Sequence, residues 1–397
     1  MCVRPGQSRT LALAAGILLA VAALWLLVLG SGSTQAAPRH HHHHRHHHHR
    51  APPPIPKDFL GVLSGPTPFD STDAAQIART KIRTVRISLQ WYRVQPRPGA
   101  FHWTTDTMVG RLAAKGISVL PTLSGTPSWI ADKTTTAPVA NTAAKVGWQA
   151  FVTATVRRYG PGGTFWASGP TGGKSPFHTL CGCNAPPIPI TAWQIWNEPN
   201  LQHYFTPRPS PNAYGKLVKA SRLAIQAVDS EAKVVLAGLS DNGESRNPGA
   251  APFLKKLYHV PGIKSSFDAV AVHPYARNIR NLRAIMTRVR KVMKQRHDAR
   301  TPLWVTEIGW GSGHPDRYGH NKGLRGQRKI LQQSMKLFAS KRKTWRVAHV
   351  YWFFWRDPPQ SSSHNACSFC ESAGLLKNDR RPKPAYKAYE SLLERAR

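Results

Sequence analysis

From Phe59 onward the chain alternates short apolar or β-branched runs with longer amphipathic stretches, and this regularity limits the fold more than any other feature. The runs fall at residues 59–63, 84–89, 117–122, 192–196, 234–238, 267–272, 303–306 and 347–352. Each is too short for a helix and is rich in residues that favour strands. Strands joined through helices pair in parallel, and eight of them close into a (β/α)8 TIM barrel. The helices between carry readable ends: Thr104 or Thr105 as an N-cap with Gly116 as the stop, then 142 to Gly160, and further stretches at 213–228, 282–295 and 325–338. No short-period repeat is present, which argues against a solenoid. A length of 397 residues with 41% hydrophobic content suffices for one such barrel, over residues 58–397, plus an N-terminal appendage.

The appendage has two parts. Arg4 and Arg9 precede an apolar run at 11–30, and residues 31–37 are small and polar, ending in Thr34-Gln35-Ala36 as a cleavage site. This is an export signal. Its apolar run also reaches the roughly 20 residues that cross a bilayer, so release into the medium and retention by an N-terminal anchor both stand as readings. Either one puts the barrel outside the cell. Residues 38–57 follow, with nine histidines interrupted by Arg45 and then a proline-rich stretch. That composition builds no core and reads as an extended linker, whose imidazoles either capture a transition metal or serve no ligand.

Cys2 lies in the leader, leaving Cys181, Cys183, Cys367 and Cys370 in the barrel. An exported domain favours disulfides, while CxC plus CxxC could enclose a structural zinc if the two loops met. The first pair sits in an insertion at 160–189 that follows a helix, hence at the bottom of the barrel. The second sits in the 356–374 loop after the eighth strand, hence at the top. Local pairing of Cys367 with Cys370 is therefore expected, and a Cys181–Cys183 bridge is expected to be strained.

The formal charge is +36, from 55 Lys and Arg against 19 Asp and Glu, which draws the surface toward anionic polymers. The basic stretches at 277–300 and 322–346 fall on outer helices, as solvated faces or as a surface tracking phosphates. They lack the interleaved aromatics of a single-stranded nucleic acid site, so no specific nucleic acid partner is expected.

Reacting groups in such a barrel sit at the C-terminal ends of strands. There the chain places Trp196-Asn197-Glu198-Pro199-Asn200 on the fourth strand and Thr306-Glu307-Ile308-Gly309-Trp310 on the seventh. Two glutamates so placed, in a chain with few acids, suit paired-carboxylate chemistry. Glycosidic cleavage needs one carboxyl to protonate the departing oxygen and a second to attack, at about 5 to 5.5 Å. Glu198, beside Trp196, is the proton donor with a raised pKa, and Glu307 stays ionised. This chemistry calls for no metal or cofactor. Trp91, Trp129, Trp310 and Trp355 lie near strand ends, where an indole can stack on a sugar, whereas Trp304 and Trp352 read as packing.

The paired motifs resemble those of clan A glycoside hydrolases, most nearly the family 39-like and cellulase-like members, over about residue 59 to the C-terminus. The resemblance implies a retaining enzyme with Glu198 as acid/base, Glu307 as nucleophile and Asn197 on the sugar 2-hydroxyl. By location Arg86 resembles the arginine that keeps the nucleophile charged, and His273-Pro274-Tyr275 resembles the pair lining the reactive subsite. An eighth-strand tryptophan often floors that subsite, and Trp355 is the choice here. The implied substrate is a β-linked poly- or oligosaccharide outside the cell. The competing reading is a non-catalytic or weakly catalytic binder of anionic cell-wall polysaccharide, joined to the membrane only through the N-terminal segment.

Overall fold

The computed structural model describes residues 55–169, 172–241, 247–359, 367 and 369–394. The leader and the histidine tract lie outside these residues, as does the apolar run at 11–30. Among the described residues no helix is long and apolar enough to cross a membrane.

The strands are β1 (Leu60–Leu63), β2 (Thr84–Gln90), β3 (Ser118–Ser124), β4 (Ala192–Ile195), β5 (Lys233–Leu236), β6 (Leu239–Ser240), β7 (Val270–His273), β8 (Leu303–Ile308) and β9 (Val347–Trp352). All pairings between them are parallel, in the order β5-β4-β3-β2-β1-β9-β8-β7-β6. A bridge between Val235 and Ala269 closes the circle, with Leu236 N–H donating to the Ala269 carbonyl at 3.0 Å. The eight-stranded barrel is thus realised, with one departure: the fifth strand is broken into β5 and β6 at Ala237-Gly238. Gly238 explains the break. A Cβ there would lie 1.9 Å from Nε2 of His273, so only glycine lets the fifth strand pass this side chain.

Ten helices are seen among the described residues: α1 (Ser71–Arg79), α2 (Trp91–Val94), α3 (Asp106–Ala113), α4 (Thr142–Tyr159), α5 (Pro176–Cys181), α6 (Pro211–Gln226), α7 (Ala250–Leu257), α8 (Ile279–Gln295), α9 (Gly323–Trp345) and α10 (Pro384–Leu393). Helix α4 begins and ends as its sequence predicts, capped by Asn141 Oδ1 and stopped at Gly160. Helix α3 differs from expectation. Thr105 precedes it without a side-chain cap, because its hydroxyl is bonded to the Tyr159 hydroxyl at 2.7 Å. Helix α9 runs seven residues beyond the expected end, to Trp345, which packs against Phe338.

The period of two sorts each strand. On β2, Val85, Ile87 and Leu89 are buried among the helices, while Thr84 and Arg86 point into the barrel. The lower interior is plugged by Leu120, Val235, Ala269, Ala271, Trp304 and Tyr351. Above this plug the interior turns polar, with Arg86, Thr122, Gln194, His273 and Thr306 all buried. The seam between first and last strands is clasped by the C-terminal segment. Tyr389 of α10 donates to the Gly61 carbonyl at 2.7 Å, Arg356 pairs with Asp73 of α1 at 2.9 Å, and Arg380 pairs with Asp70.

Both cysteine pairs are bridged locally, Cys181 to Cys183 and Cys367 to Cys370. The local pairing expected for Cys367 with Cys370 is present, and the Cys181–Cys183 bridge has its Cα atoms 5.1 Å apart. Helix α5, which carries Cys181, packs on α3 through Phe177 and Leu180 against Gly110.

Candidate active site

The site begins with how two strands end. At β4 the chain leaves the sheet through Trp196 and Glu198 with φ of +70° and +42°, both in the left-handed region. Non-glycine residues there cost of order 1–3 kcal/mol each and persist where surrounding contacts over-determine them. Those contacts are present. Trp196 N–H donates to the Leu123 carbonyl and its indole to the Tyr204 carbonyl, both at 2.8 Å. Asn200, fully buried, bonds the backbone of Ser240 in both directions and the Pro248 carbonyl, pinning the turn to β6.

At β8 the register against β9 slips between Val305 and Ile308. An extra residue of this kind bends a strand and re-aims side chains. As a result Thr306 and Glu307, neighbours that strict alternation would send to opposite faces, both reach the barrel mouth.

Arg86 organises what lies between. Its Nε donates to Gln194 Oε1 at 2.6 Å, Nη1 to Glu307 Oε1 at 2.6 Å and Nη2 to Asn197 Oδ1 at 2.9 Å. One buried guanidinium thereby ties the two motifs together. The second Glu307 oxygen accepts from the Tyr275 hydroxyl at 2.7 Å. The Tyr275 ring is held in turn by Phe353 and Phe369, at centroid distances of 5.8 and 5.4 Å. Phe369 lies within the loop closed by the Cys367–Cys370 bridge.

His273 stands between the carboxylates, with Nδ1 at 2.8 Å from Glu198 Oε1 and 3.4 Å from Glu307 Oε2, and Nε2 at 3.0 Å from Thr306 Oγ1. Burial lowers its pKa to about 3, so the ring is neutral. Burial has the opposite sign for an acid and raises Glu198 to about 7, against the pull of Ser240, Arg86 and His203. Tyr204, 37% exposed, faces both carboxylates, and their charge adds to burial in raising its phenol.

One oxygen from each glutamate and one His273 nitrogen lie within 4.8 Å of one another, a donor set that could hold a cation. The Glu307 oxygens already accept from Arg86 and Tyr275, and His273 is bonded to Glu198 and Thr306.

The structure thus brings together Glu198, Glu307, Arg86, Asn197, His273 and Tyr275. It does not bring Trp355 to them. Trp355 is 1% exposed, its indole donates to Asp73 Oδ1 at 3.3 Å, and its ring meets Tyr386 edge-on at 5.9 Å. With no free face it cannot floor a subsite, and the expectation is corrected: β9 ends at Trp352, and Trp355 has already turned toward α1 and α10. Trp91 and Trp310 are equally enclosed, whereas Trp129 keeps part of its ring in solvent. Gln194, Thr306, Gly238 and Tyr204 were missed from the sequence. A polar Gln194 alternating with Ala192 on an otherwise apolar strand was a usable signal for the first.

A parallel barrel with two buried glutamates at its mouth, one with a raised pKa and one paired to arginine, suits paired-carboxylate chemistry. The family model for the glycosyl hydrolase catalytic core matches residues 184–389, and the chain belongs to that family. Among solved structures it is similar to a family 39 glycoside hydrolase from the gut symbiont Bacteroides cellulosilyticus WH2, with a TM-score of 0.62 and 18% identity over 85% of this chain and 64% of that one. A family 39 β-xylosidase from Caulobacter crescentus aligns with a TM-score of 0.58 and 20% identity, over 87% of this chain and 73% of that one. A family 5 subfamily 18 protein from Streptomyces cattleya, solved with Manβ1-4GlcNAc, aligns with a TM-score of 0.60 and 17% identity, over 85% and 80%. The expected family 39-like and cellulase-like clan A fold is thereby borne out. No curated protein matches the sequence.

Proposed function

We propose that the protein hydrolyses β-glycosidic bonds of an extracellular poly- or oligosaccharide by double displacement. The observation that carries this is the short approach of the two carboxylates, with oxygens within 4.8 Å. Retaining enzymes place their carboxyl groups about 5–5.5 Å apart, whereas inverting ones leave roughly 6.5–9.5 Å for a water. In this reading Glu307 attacks the anomeric carbon while Glu198 gives its proton to the departing oxygen, which leaves a glycosyl ester on Glu307. Glu198, now anionic, takes a proton from water as that water attacks the same carbon and frees Glu307. With Oδ1 of Asn197 fixed on Arg86, the amide offers its N–H end to the sugar 2-hydroxyl. Action outside the cell is supported by the apolar leader and by the two bridged cysteine pairs.

The raised pKa of Glu198 favours hydrolysis over the purely binding role, which has no use for a buried protonatable carboxyl. Activated 2-deoxy-2-fluoro glycosides, screened across xylo, gluco, manno and galacto configurations, should add one sugar mass to the peptide containing Glu307. Glu198→Ala should lose turnover on aryl glycosides and regain it with azide. Absence of both the adduct and the rescue would sink this reading.

A further inference from the structure

The loops around the mouth carry more positive charge than hydrolysis requires. The loop after β8 folds against the one after β7, two residues beyond Tyr275. Lys322 Nζ donates to the Arg277 carbonyl at 2.9 Å, and the Arg277 side chain lies over Gly319, where a Cβ would meet its Cγ at 2.6 Å. On the same loop Arg317 covers the Tyr318 ring at 4.8 Å and donates to its hydroxyl at 2.6 Å. Arg277 and Arg317 are exposed, and Tyr318, at 58%, is among the most exposed large side chains described. The single acid between Gly309 and Lys322, Asp316, is occupied by the backbone N–H groups of His320 and Asn321 at 3.2 and 2.8 Å. One carboxylate beside Arg277, Arg317 and Lys322 offsets part of their charge and leaves the cluster net positive. Beyond the part covered by Arg317, Tyr318 keeps much of its surface in solvent, which suits contact with the C–H face of a sugar ring.

We propose that the glycan cleaved here is acidic, and that Arg277, Arg317 and Lys322 read its carboxylate or sulfate groups while Tyr318 stacks on a neighbouring ring. The inference rests on the hydrolytic reading of Glu198 and Glu307, and it names the substrate class of that site. Guanidinium groups match planar two-oxygen anions, and carboxylate and sulfate both present such a face. Because these contacts are solvent-exposed, the selectivity they give must weaken with salt.

The test uses matched β-linked polymers: hydroxyethyl cellulose against carboxymethyl cellulose and cellulose sulfate, and arabinoxylan against glucuronoxylan. Release of reducing ends is followed at low and high salt. The expected result is at least a tenfold preference for the acidic member of a pair at low salt, collapsing at high salt. The carboxylated and sulfated arms tell which anion is read. The combined variant Arg277→Gln, Arg317→Gln, Lys322→Gln should lose that preference yet still hydrolyse neutral aryl glycosides. A control with the same charge change on α9, Lys329→Gln, Lys336→Gln, Lys343→Gln, should keep it. Equal loss in both variants would mean that overall charge alone is responsible, and equal cleavage of neutral and acidic polymers would likewise overturn the proposal. Affinity electrophoresis of Glu307→Gln in the same polymers provides a readout without turnover. If aryl glycosides are not hydrolysed, the hydrolytic reading fails, and retardation by neutral and acidic gels still decides whether anions are recognised.

Discussion

Glu198 and His273 touch, and burial acts on them with opposite signs. The carboxyl keeps its proton in the fold up to about 7, whereas its ordinary value is 4.5. Its contribution to stability is thus present below the lower value and lost as pH rises through the upper one. Glu198→Gln has no proton to lose. Its stability relative to the parent should rise by roughly 3 kcal/mol between acid and neutral pH, read by denaturant unfolding at about pH 4.5, 6 and 8. Parallel stabilities across that range would contradict the assignment. His273 contributes the reverse trend, losing stability as pH falls from 6.5 toward about 3, and to first order it cancels in the difference. Trp355 gives a second test at this scale. Trp355→Phe removes the indole bond to Asp73 and should cost about 1–2 kcal/mol while leaving kcat/KM within about twofold, where a subsite floor would lose affinity instead. The motif residues were legible because strand ends in a barrel converge by rule, whereas Arg86 and Tyr275 were expected only through the resemblance to clan A at their strand positions. Trp355 was misread because three residues past a strand end the chain is free to turn. Tyr204 was not visible because no periodicity governs the loop that presents it.

At the scale of elements, the alternation of apolar runs with amphipathic stretches reports parallel pairing directly, so the barrel was readable. The irregularities that make the site were not. The bulge in β8 and the break between β5 and β6 cost one residue of register each, and a pattern of period two looks the same with or without them. Gly238 marks the second of these. Gly238→Ala should push His273 off its place between the carboxylates, lowering stability by about 1–3 kcal/mol and turnover by more than tenfold. Thermal unfolding and aryl-glycoside kinetics check this; unchanged kinetics would mean that β7 can move aside. Thr105 shows a related limit, since its hydroxyl is taken by Tyr159, a partner 54 residues away that no local capping pattern records.

Across the whole molecule a net charge of +36 opposes compactness. Screening relieves self-repulsion, so the melting temperature should climb by several degrees between about 20 and 300 mM sodium chloride; a flat or falling curve would show that the local ion pairs outweigh the general repulsion. The clasp at the barrel seam bears on the order of synthesis. β1 is among the first segments to leave the ribosome, yet it is paired on one side by β9, and its Gly61 carbonyl is reached by Tyr389 of α10. A nascent chain whose β9 has not yet emerged holds an open sheet with an unpaired β1 edge, and arrested chains of increasing length should stay protease-sensitive until β9 and α10 have cleared the exit tunnel. The first strand therefore waits for almost the last to complete its pairing, so the period during which its edge is open to other chains is set by the barrel's connectivity.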